Sequence, residues 1–224
     1  MTVAAVILAA SSGGALREVE GVANARRLVD AAWAGGAMPI VVVSADPDGA
    51  VARVLAGSTA LLADPATEKG GPVGQICRGI DLARAEVVGT EAALVWPARM
   101  GWVDAETVTS LIEAHGADRA AVLRPAFRRK AGWPVLVPIV HLETLRTLGA
   151  GLMPGPLFEE LTAAVGGRLV ELGDPGTVHD LDTPRADLPP FDAPPEPVSG
   201  LQPEWGSPAA AGPDESPDPA RTVG

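Results

Sequence analysis

The chain contains little of what secreted, membrane-spanning or metal-chelating proteins depend on. Its 224 residues include one cysteine, Cys77, which excludes an intramolecular disulfide framework and favours a reducing cytoplasm. No apolar run reaches the roughly 18–20 residues of a membrane-spanning helix. The three histidines, at positions 115, 141 and 179, fall on separate predicted elements. Because they lack ligand spacing, we interpret all three as structural.

Basic residues are also scarce. Lys and Arg number 17 against 28 Asp and Glu, which gives a formal net charge of −11. Such a surface repels nucleic acids and anionic membranes, so we expect neither as a partner. The sequence identifies no protein partner. The hydrophobic fraction of 47% is enough for one sizeable domain.

The most informative stretch is the opening, Val3–Gly21. An unbroken apolar run, Val3–Ala10, is followed at once by Ser11, Ser12, Gly13 and Gly14. A short apolar run that ends in small turn residues predicts a strand buried on both faces. The apolar residues from Val22 to Trp33 then recur near the helical period. Strand, glycine loop and helix form the first unit of a doubly wound domain, whose ligands bind at the carboxyl edge of the sheet.

The same alternation continues along the chain. It predicts an α/β fold, a three-layer α/β/α Rossmann-like sandwich with a mostly parallel sheet. Further strands are predicted at 39–43, 61–63, 92–96, 120–123, 134–139 and 169–172. Helices are predicted near 50–56, from Pro72 through Ile80, after an N-cap at Asp104, and at 142–148 and 157–165. The segment Phe127–Gly132 is predicted to be a basic hairpin-like loop.

The composition changes at Pro189. The last 36 residues hold ten of the 22 prolines and six acids against one arginine. Such a segment buries too little apolar surface to offset its ordering entropy. We therefore predict a folded domain over residues 1–188 and a disordered, Pro-rich acidic tail over 189–224.

Several segments together resemble the MobA-like NTP transferases, the molybdenum cofactor guanylyl- and cytidylyltransferases. They occur in the order that this family uses, over roughly residues 3–188. The similar segments are Val6–Ala10 with its small-residue loop, Asp64 with Gly71–Ile76, Leu94–Val103 with the Asp104 helix, Gly132-Trp133-Pro134 in place of Gly-His-Pro, and Gly173–Leu188 in place of a closing Asp-Ile-Asp-Thr-Pro. The resemblance implies a fold of the nucleotide-diphospho-sugar transferase type.

The departures from that family fall where its chemistry is carried out. The family's first loop has Gly, Arg, Gly and Lys at positions that correspond here to Ser11, Ala15, Arg17 and Glu20. Its metal-binding Asp corresponds to Arg99. A guanidinium has no acceptor and a permanent charge, so it cannot ligate Mg²⁺, although its fork can bind an anion directly.

The resemblance nevertheless implies a set of candidate site residues. The nucleotide-binding candidates are Ala10, Ser11, Ser12, Gly13, Gly14, Arg17, Asp64, Gly71, Pro72 and Arg99. An active member would use Mg²⁺, and its candidate metal ligands are Asp180 and Asp182. These two acids are equally suited to pairing with Arg99 or to capping a turn.

Other features leave alternatives open. The segment Ser11–Gly14 suits either a nest of backbone N–H donors or an ordinary turn. Trp96, Trp102 and Trp133 suit either stacking on a planar ring or packing. The run Arg128–Lys130 suits either a solvated turn or a grip on the phosphate of a ligand.

Three functions are compatible with these observations. The first is a nucleotidyltransferase-family protein with absent or very weak transfer activity, which binds a nucleotide, another small anion or a partner. The second is an active transferase with relocated catalytic residues. The third is a generic Rossmann-type binding module.

Overall fold

The structure is a computed structural model that describes residues 1–9 and 12–192. Ala10, Ser11 and residues 193–224, which make up most of the predicted tail, lie outside the described residues. The strands are β1 (Thr2–Leu8), β2 (Glu18–Val19), β3 (Val22–Ala23), β4 (Ile40–Val43), β5 (Leu61–Ala63), β6 (Thr90–Pro97), β7 (Val122–Phe127), β8 (Lys130–Ala131), β9 (Val135–Pro138) and β10 (Gly167–Glu171). The helices are α1 (Ser12–Leu16), α2 (Asn24–Ala34), α3 (Ala50–Leu55), α4 (Gly71–Glu86), α5 (Ala105–Ala117), α6 (Leu142–Thr147) and α7 (Pro154–Val165).

The central sheet is mostly parallel, as predicted. Its strand order is β10-β7-β9-β6-β1-β4-β5, with β8 paired to β7. β1, β4, β5 and β6 run parallel, and so do β7 and β10, whereas β9 is antiparallel to both β6 and β7. A separate small hairpin is formed by β2 and β3.

Helices cover both faces of this sheet, which confirms the three-layer architecture. β1 lies near the centre, and its residues Val3–Ile7 are all buried. Helices α2 and α4 both pack on β1 and β4, with α5 against α2 in one layer and α6 and α7 against α4 in the other. A strand covered on both faces requires an unbroken apolar run, and this is the pattern that the opening of the sequence has. Among the described residues, no helix combines the length and apolar character needed to cross a membrane.

Helix α4 lies unusually close to the sheet because it carries a glycine at the contact. A Cβ at Gly79 would overlap the Cγ1 methyl of Val6 and would lie 3.1 Å from Cγ2 of Val43. Gly74, on the same helix, is different, since a Cβ there would meet only the Cβ of Ala66 at 3.5 Å. Gly79 therefore sets the distance between α4 and the strands that carry the site.

Some local predictions require correction. Asp104 occupies the N-cap position of α5, but its side chain makes no capping hydrogen bond. The buried Asp174 instead supports the start of the helix from outside: its Oδ2 accepts from the Asp104 backbone N–H at 3.1 Å and from Thr107 Oγ1 at 2.7 Å. The predicted strand at 120–123 begins two residues later and extends to Phe127. The predicted glycine loop after β1 contains the short helix α1.

Replacing Gly79 with Ala tests the close packing of α4. Alanine favours a helix by about 1 kcal/mol over glycine, yet overpacking a core typically costs about 1–3 kcal/mol. We expect Gly79→Ala to lower the free energy of unfolding and Gly74→Ala to leave it unchanged or raise it. Urea denaturation of both variants measures the difference. Equal stabilisation by the two substitutions would contradict the close contact.

Candidate ligand-binding site

A cavity of about 720 Å³ opens at the carboxyl ends of the central parallel strands. The register of β1 and β6 pairs Leu8 with Pro97, and the Ala98 N–H donates to the Leu8 carbonyl at 2.9 Å. The loops that follow the two strands therefore start side by side. The cavity is lined by Leu8, Ala9, Gly14, Val43, Pro65, Pro72, Gln75, Pro97, Ala98, Arg99, Trp133, Met153, Pro154, Gly155 and Pro156.

Most of this wall is apolar and held in place by backbone contacts. The Gln75 side chain accepts from the backbone N–H of Ala66 at 2.8 Å and donates to its carbonyl at 3.0 Å, which fixes the loop after β5. Gly71, at the start of α4, has a φ of 54°, and a Cβ there would overlap the Ala150 carbonyl. This close approach brings Pro72 and the start of α7 onto the same wall.

Arg99 is the one charged residue among the described residues that line the cavity. Its side chain is 71% exposed, so the guanidinium lies at the rim. The nearest acid is Asp180, whose Oδ2 lies 3.8 Å from the Arg99 Nη1, beyond hydrogen-bond distance. The Arg99 carbonyl accepts from the Leu181 N–H at 2.9 Å, which ties the rim to the segment after β10.

A second, smaller cavity of about 220 Å³ adjoins the first at Arg99 and Trp133. It lies between the β7–β8 hairpin and the segment after β10, and its wall is more polar. It is lined by Arg99, Met100, Lys130, Ala131, Trp133, Thr177, Val178 and Asp180.

The segment 180–185 is fastened to the first loop by ion pairs, which we call the charge clamp. Its first half joins Arg17 to Asp182 at 2.9 Å and to the Leu181 carbonyl at 2.7 Å. Its second half joins Glu20, at the tip of the β2–β3 hairpin, to Arg185 at 2.7 Å and to Arg27 at 3.2 Å. Hydrogen bonds from Arg185 are the main cause that lowers the pKa of Glu20 below its ordinary value.

The charge clamp explains the unusual residues of the first loop. Arg17 and Glu20 bind the closing segment and do not line the cavity. Ala15, where the resemblance implies an Arg, is fully buried in the core. A long cation at that position has no room without displacing core residues.

Not all predicted site residues come together. Gly14, Pro72 and Arg99 line the main cavity, whereas Ser12 and Gly13 lie in α1 without lining it. Asp64 is exposed at the end of β5, and Gly71 packs on Ala150. Ala10 and Ser11 lie outside the described residues.

The three tryptophans separate into different roles. Trp133 lines both cavities and makes an edge contact with Phe158, with ring centroids 5.7 Å apart. Trp96 is fully buried and donates to the Met100 carbonyl. Trp102 donates to the carbonyls of Asp180 and Thr183, so it supports the closing segment. Only Trp133 among these three meets the cavity.

Sequence reasoning missed several residues that build the site. Asn24 is fully buried and its amide donates to the carbonyls of Gly14 and Ala98, which links the loops after β1 and β6. The wall residues 153–156 were not singled out either, whereas Lys130, which lines the second cavity, belongs to the run for which the sequence left a phosphate grip open. An asparagine at the start of a predicted helix was visible in the sequence, but only the folded structure shows which loops it joins.

The residues present do not fit a protein-bound Mg²⁺. Mg²⁺ usually binds one or two carboxylates together with substrate phosphates, so the question is whether Asp180 and Asp182 are available to it. Asp182 pairs with Arg17, while Asp180 faces Arg99 and its Oδ1 accepts from the Asp182 N–H at 3.1 Å. Both alternatives considered for Asp180, an ion pair and a turn cap, are therefore present together.

The fold and the position of the cavity define a nucleotidyltransferase-type α/β domain. The sequence profile of the MobA-like NTP transferase domain matches residues 5–162, so the chain belongs to that family. A search of curated proteins finds no match.

Solved structures share the fold. A nucleotidyl transferase from Methanothermobacter is 20% identical, with a TM-score of 0.64 over 83% of this chain and 94% of that one. A manganese complex of a Mycobacterium tuberculosis protein is 16% identical, with a TM-score of 0.56 over 76% and 87%. A CMP:2-keto-3-deoxy-manno-octonic acid synthetase bound to CTP is 14% identical, with a TM-score of 0.58 over 77% and 90%.

The charge clamp predicts a compensating pair of substitutions. Glu20→Lys places a third cation beside Arg27 and Arg185, so we expect faster amide hydrogen exchange in residues 180–188. Adding Arg185→Glu restores an ion pair in the opposite sense and should return the exchange towards wild type. Glu91→Lys makes the same charge reversal in a distant surface ion pair with Arg119, and it is the matched control. Unchanged exchange in Glu20→Lys would show that the clamp does not hold this segment.

Proposed function

We propose that this protein binds a nucleotide or another small anionic ligand directly on Arg99, and that its metal-dependent transfer activity is absent or very weak. The protein is then a pseudoenzyme of the MobA-like family, one that binds a ligand without carrying out the transfer reaction. The net charge of −11 and the single cysteine support a cytoplasmic protein that acts on small molecules and not on nucleic acid.

The observation that carries this proposal is the position of Arg99. It lies on the rim of the cavity that the parallel strands form, at the position that the resemblance assigns to the metal-binding aspartate. A guanidinium repels a divalent cation and offers it no acceptor atom. The same group makes strong, bidentate hydrogen bonds to carboxylates and phosphates. With an arginine in place of the aspartate, this wall therefore attracts anions and repels metal cations.

The first loop supports the same conclusion. Transfer from a nucleoside triphosphate needs cations on the phosphates. Here Arg17 is engaged by Asp182 and Leu181, Glu20 is an acid, and Ala15 is buried. A positive group at these positions would have to come from another part of the chain.

The alternative of an active transferase with relocated ligands depends on Asp180 and Asp182. A divalent cation such as Mg²⁺ would have to displace Arg17 from Asp182 and to approach Arg99 beside Asp180. Each ion pair opposes metal binding at the acid it occupies. The manganese in the mycobacterial structure belongs to that protein, and the acids here favour arginine as their partner.

The direct test is pyrophosphate release with each of the four NTPs, Mg²⁺ or Mn²⁺, and a molybdopterin acceptor. We expect wild-type release at the uncatalysed background. Arg99→Asp removes the repelling charge and adds a metal ligand, so we expect it to raise metal-dependent release by about tenfold or more, equivalent to about 1.4 kcal/mol of transition-state stabilisation.

Arg119→Asp, a distant surface change of the same charge, is the control and should have no effect. Wild-type turnover of about 1 s⁻¹, the low end of ordinary enzymes, would refute the proposal. Loss of that turnover in Asp182→Asn would establish the alternative with relocated ligands.

A further inference from the structure

The two adjoining cavities differ in size and polarity, and this difference indicates the kind of ligand that they bind. The larger one is walled by prolines, aliphatic side chains, Met153 and Trp133, with a volume of about 720 Å³. This volume suits a drug-sized organic molecule. The smaller one, of about 220 Å³, is polar and brings Arg99, Lys130 and Asp180 together.

The formal charges at the junction favour a ligand with one negative charge. Arg99 and Lys130 contribute two positive charges and Asp180 one negative charge, so one positive charge is left. Within residues 1–9 and 12–192, the side-chain N–H groups of Arg99 and Lys130 donate no hydrogen bond, and Asp180 lies 3.8 Å from Arg99. Because the ion pair between Arg99 and Asp180 is longer than a hydrogen bond, the N–H groups of both cations can still donate to an incoming anion.

Local structure holds the two cations at this junction. Arg99 is fixed through its carbonyl, which accepts from the Leu181 N–H. Lys130 pairs with Phe127 in the β7–β8 hairpin, whose turn residues Arg128 and Arg129 have φ values of 51° and 65°. Arg128 faces away to Asp192 at 3.6 Å and lies over the Phe127 ring. Of the three cations in this run, Lys130 is the one that lines either of these two cavities.

We infer that the two cavities bind one amphipathic organic anion, with a large apolar body against Trp133 and the proline wall and a single anionic group between Arg99 and Lys130. This inference rests on the proposed function and narrows its ligand class. A nucleoside triphosphate carries several negative charges, and moving them against an apolar wall with one net compensating charge is unfavourable. A carboxylate, sulfonate or phosphodiester on an aromatic or polycyclic body matches both the wall and the charge.

Two fluorescent probes with nearly the same body separate the two contributions. 1-Anilinonaphthalene-8-sulfonate carries one sulfonate, and N-phenyl-1-naphthylamine has the same rings without it. In buffer with EDTA we expect the sulfonate probe to bind the wild-type protein about tenfold more tightly than the neutral probe, because charge-assisted hydrogen bonds act on it alone. Equal affinity for the two probes would overturn the inference.

Single substitutions test where on the protein the two probes bind. Arg99→Gln and Lys130→Gln should each weaken the sulfonate probe by about tenfold and leave the neutral probe within about twofold. Arg128→Gln, the same change in the same hairpin but outside both cavities, is the matched control and should affect neither probe.

Gly155 lines the main cavity, and a Cβ there would meet no atom within 4 Å. Gly155→Phe should therefore fill the cavity and weaken both probes, with near-UV circular dichroism to verify the fold.

Undiminished binding in Gly155→Phe, or an equal effect of Arg128→Gln and Arg99→Gln, would also overturn the inference. Competition between the sulfonate probe and nucleotides distinguishes this inference from the proposed function. Displacement of the sulfonate probe by CTP or GTP, with an affinity tighter than that of the probe, would refute the single-charge ligand and leave the proposed function standing. Pyrophosphate release by the wild-type protein would instead refute the proposed function.

Discussion

The parallel pairing of β1 with β6 is the constraint on which the rest of this structure depends. It places the carboxyl ends of the two strands side by side, so the loops after Leu8 and Pro97 form one rim. Asn24 then joins the two loops by hydrogen bonds to Gly14 and Ala98. The position of Arg99 on the cavity rim follows from this geometry.

The charged side chains around that rim pair with one another. Glu20 forms ion pairs with Arg185 and Arg27, and Arg17, the cation of the first loop, forms an ion pair with Asp182. These exposed pairs contribute little individually to stability. Their consequence is positional, because they hold the closing segment against the first loop and keep Arg17 and Glu20 out of the wall of the cavity.

Much of the fold was predictable because its signals are local. The apolar run of β1, the helical period of α2 and the small residues between them do not depend on distant contacts. The family resemblance followed from the order of such segments, and the matched domain over residues 5–162 confirms it. The position of Arg99 at the rim was also predictable, since it follows a strand of the parallel sheet.

Side-chain partners separated by many residues were not predictable. Asp174 holds the start of α5 through the Asp104 N–H, 70 residues away in sequence, whereas the sequence pattern indicated only the adjacent Asp104. The pairing of Glu20 with Arg185 is of the same kind, since it spans 165 residues. Only the folded topology shows that these acids already have partners, and their partners decide whether they are free for chemistry.

The central claim is that this site attracts an anion where its relatives' pattern has a metal ligand. Isothermal titration of CTP and GTP, each with Mg²⁺ and with EDTA, tests it most directly. Because Arg99 supplies a positive charge and both Asp180 and Asp182 already pair with arginines, we expect Mg²⁺ to leave the measured affinity unchanged or to weaken it. An affinity that Mg²⁺ tightens by about tenfold, equivalent to about 1.4 kcal/mol, would contradict the account.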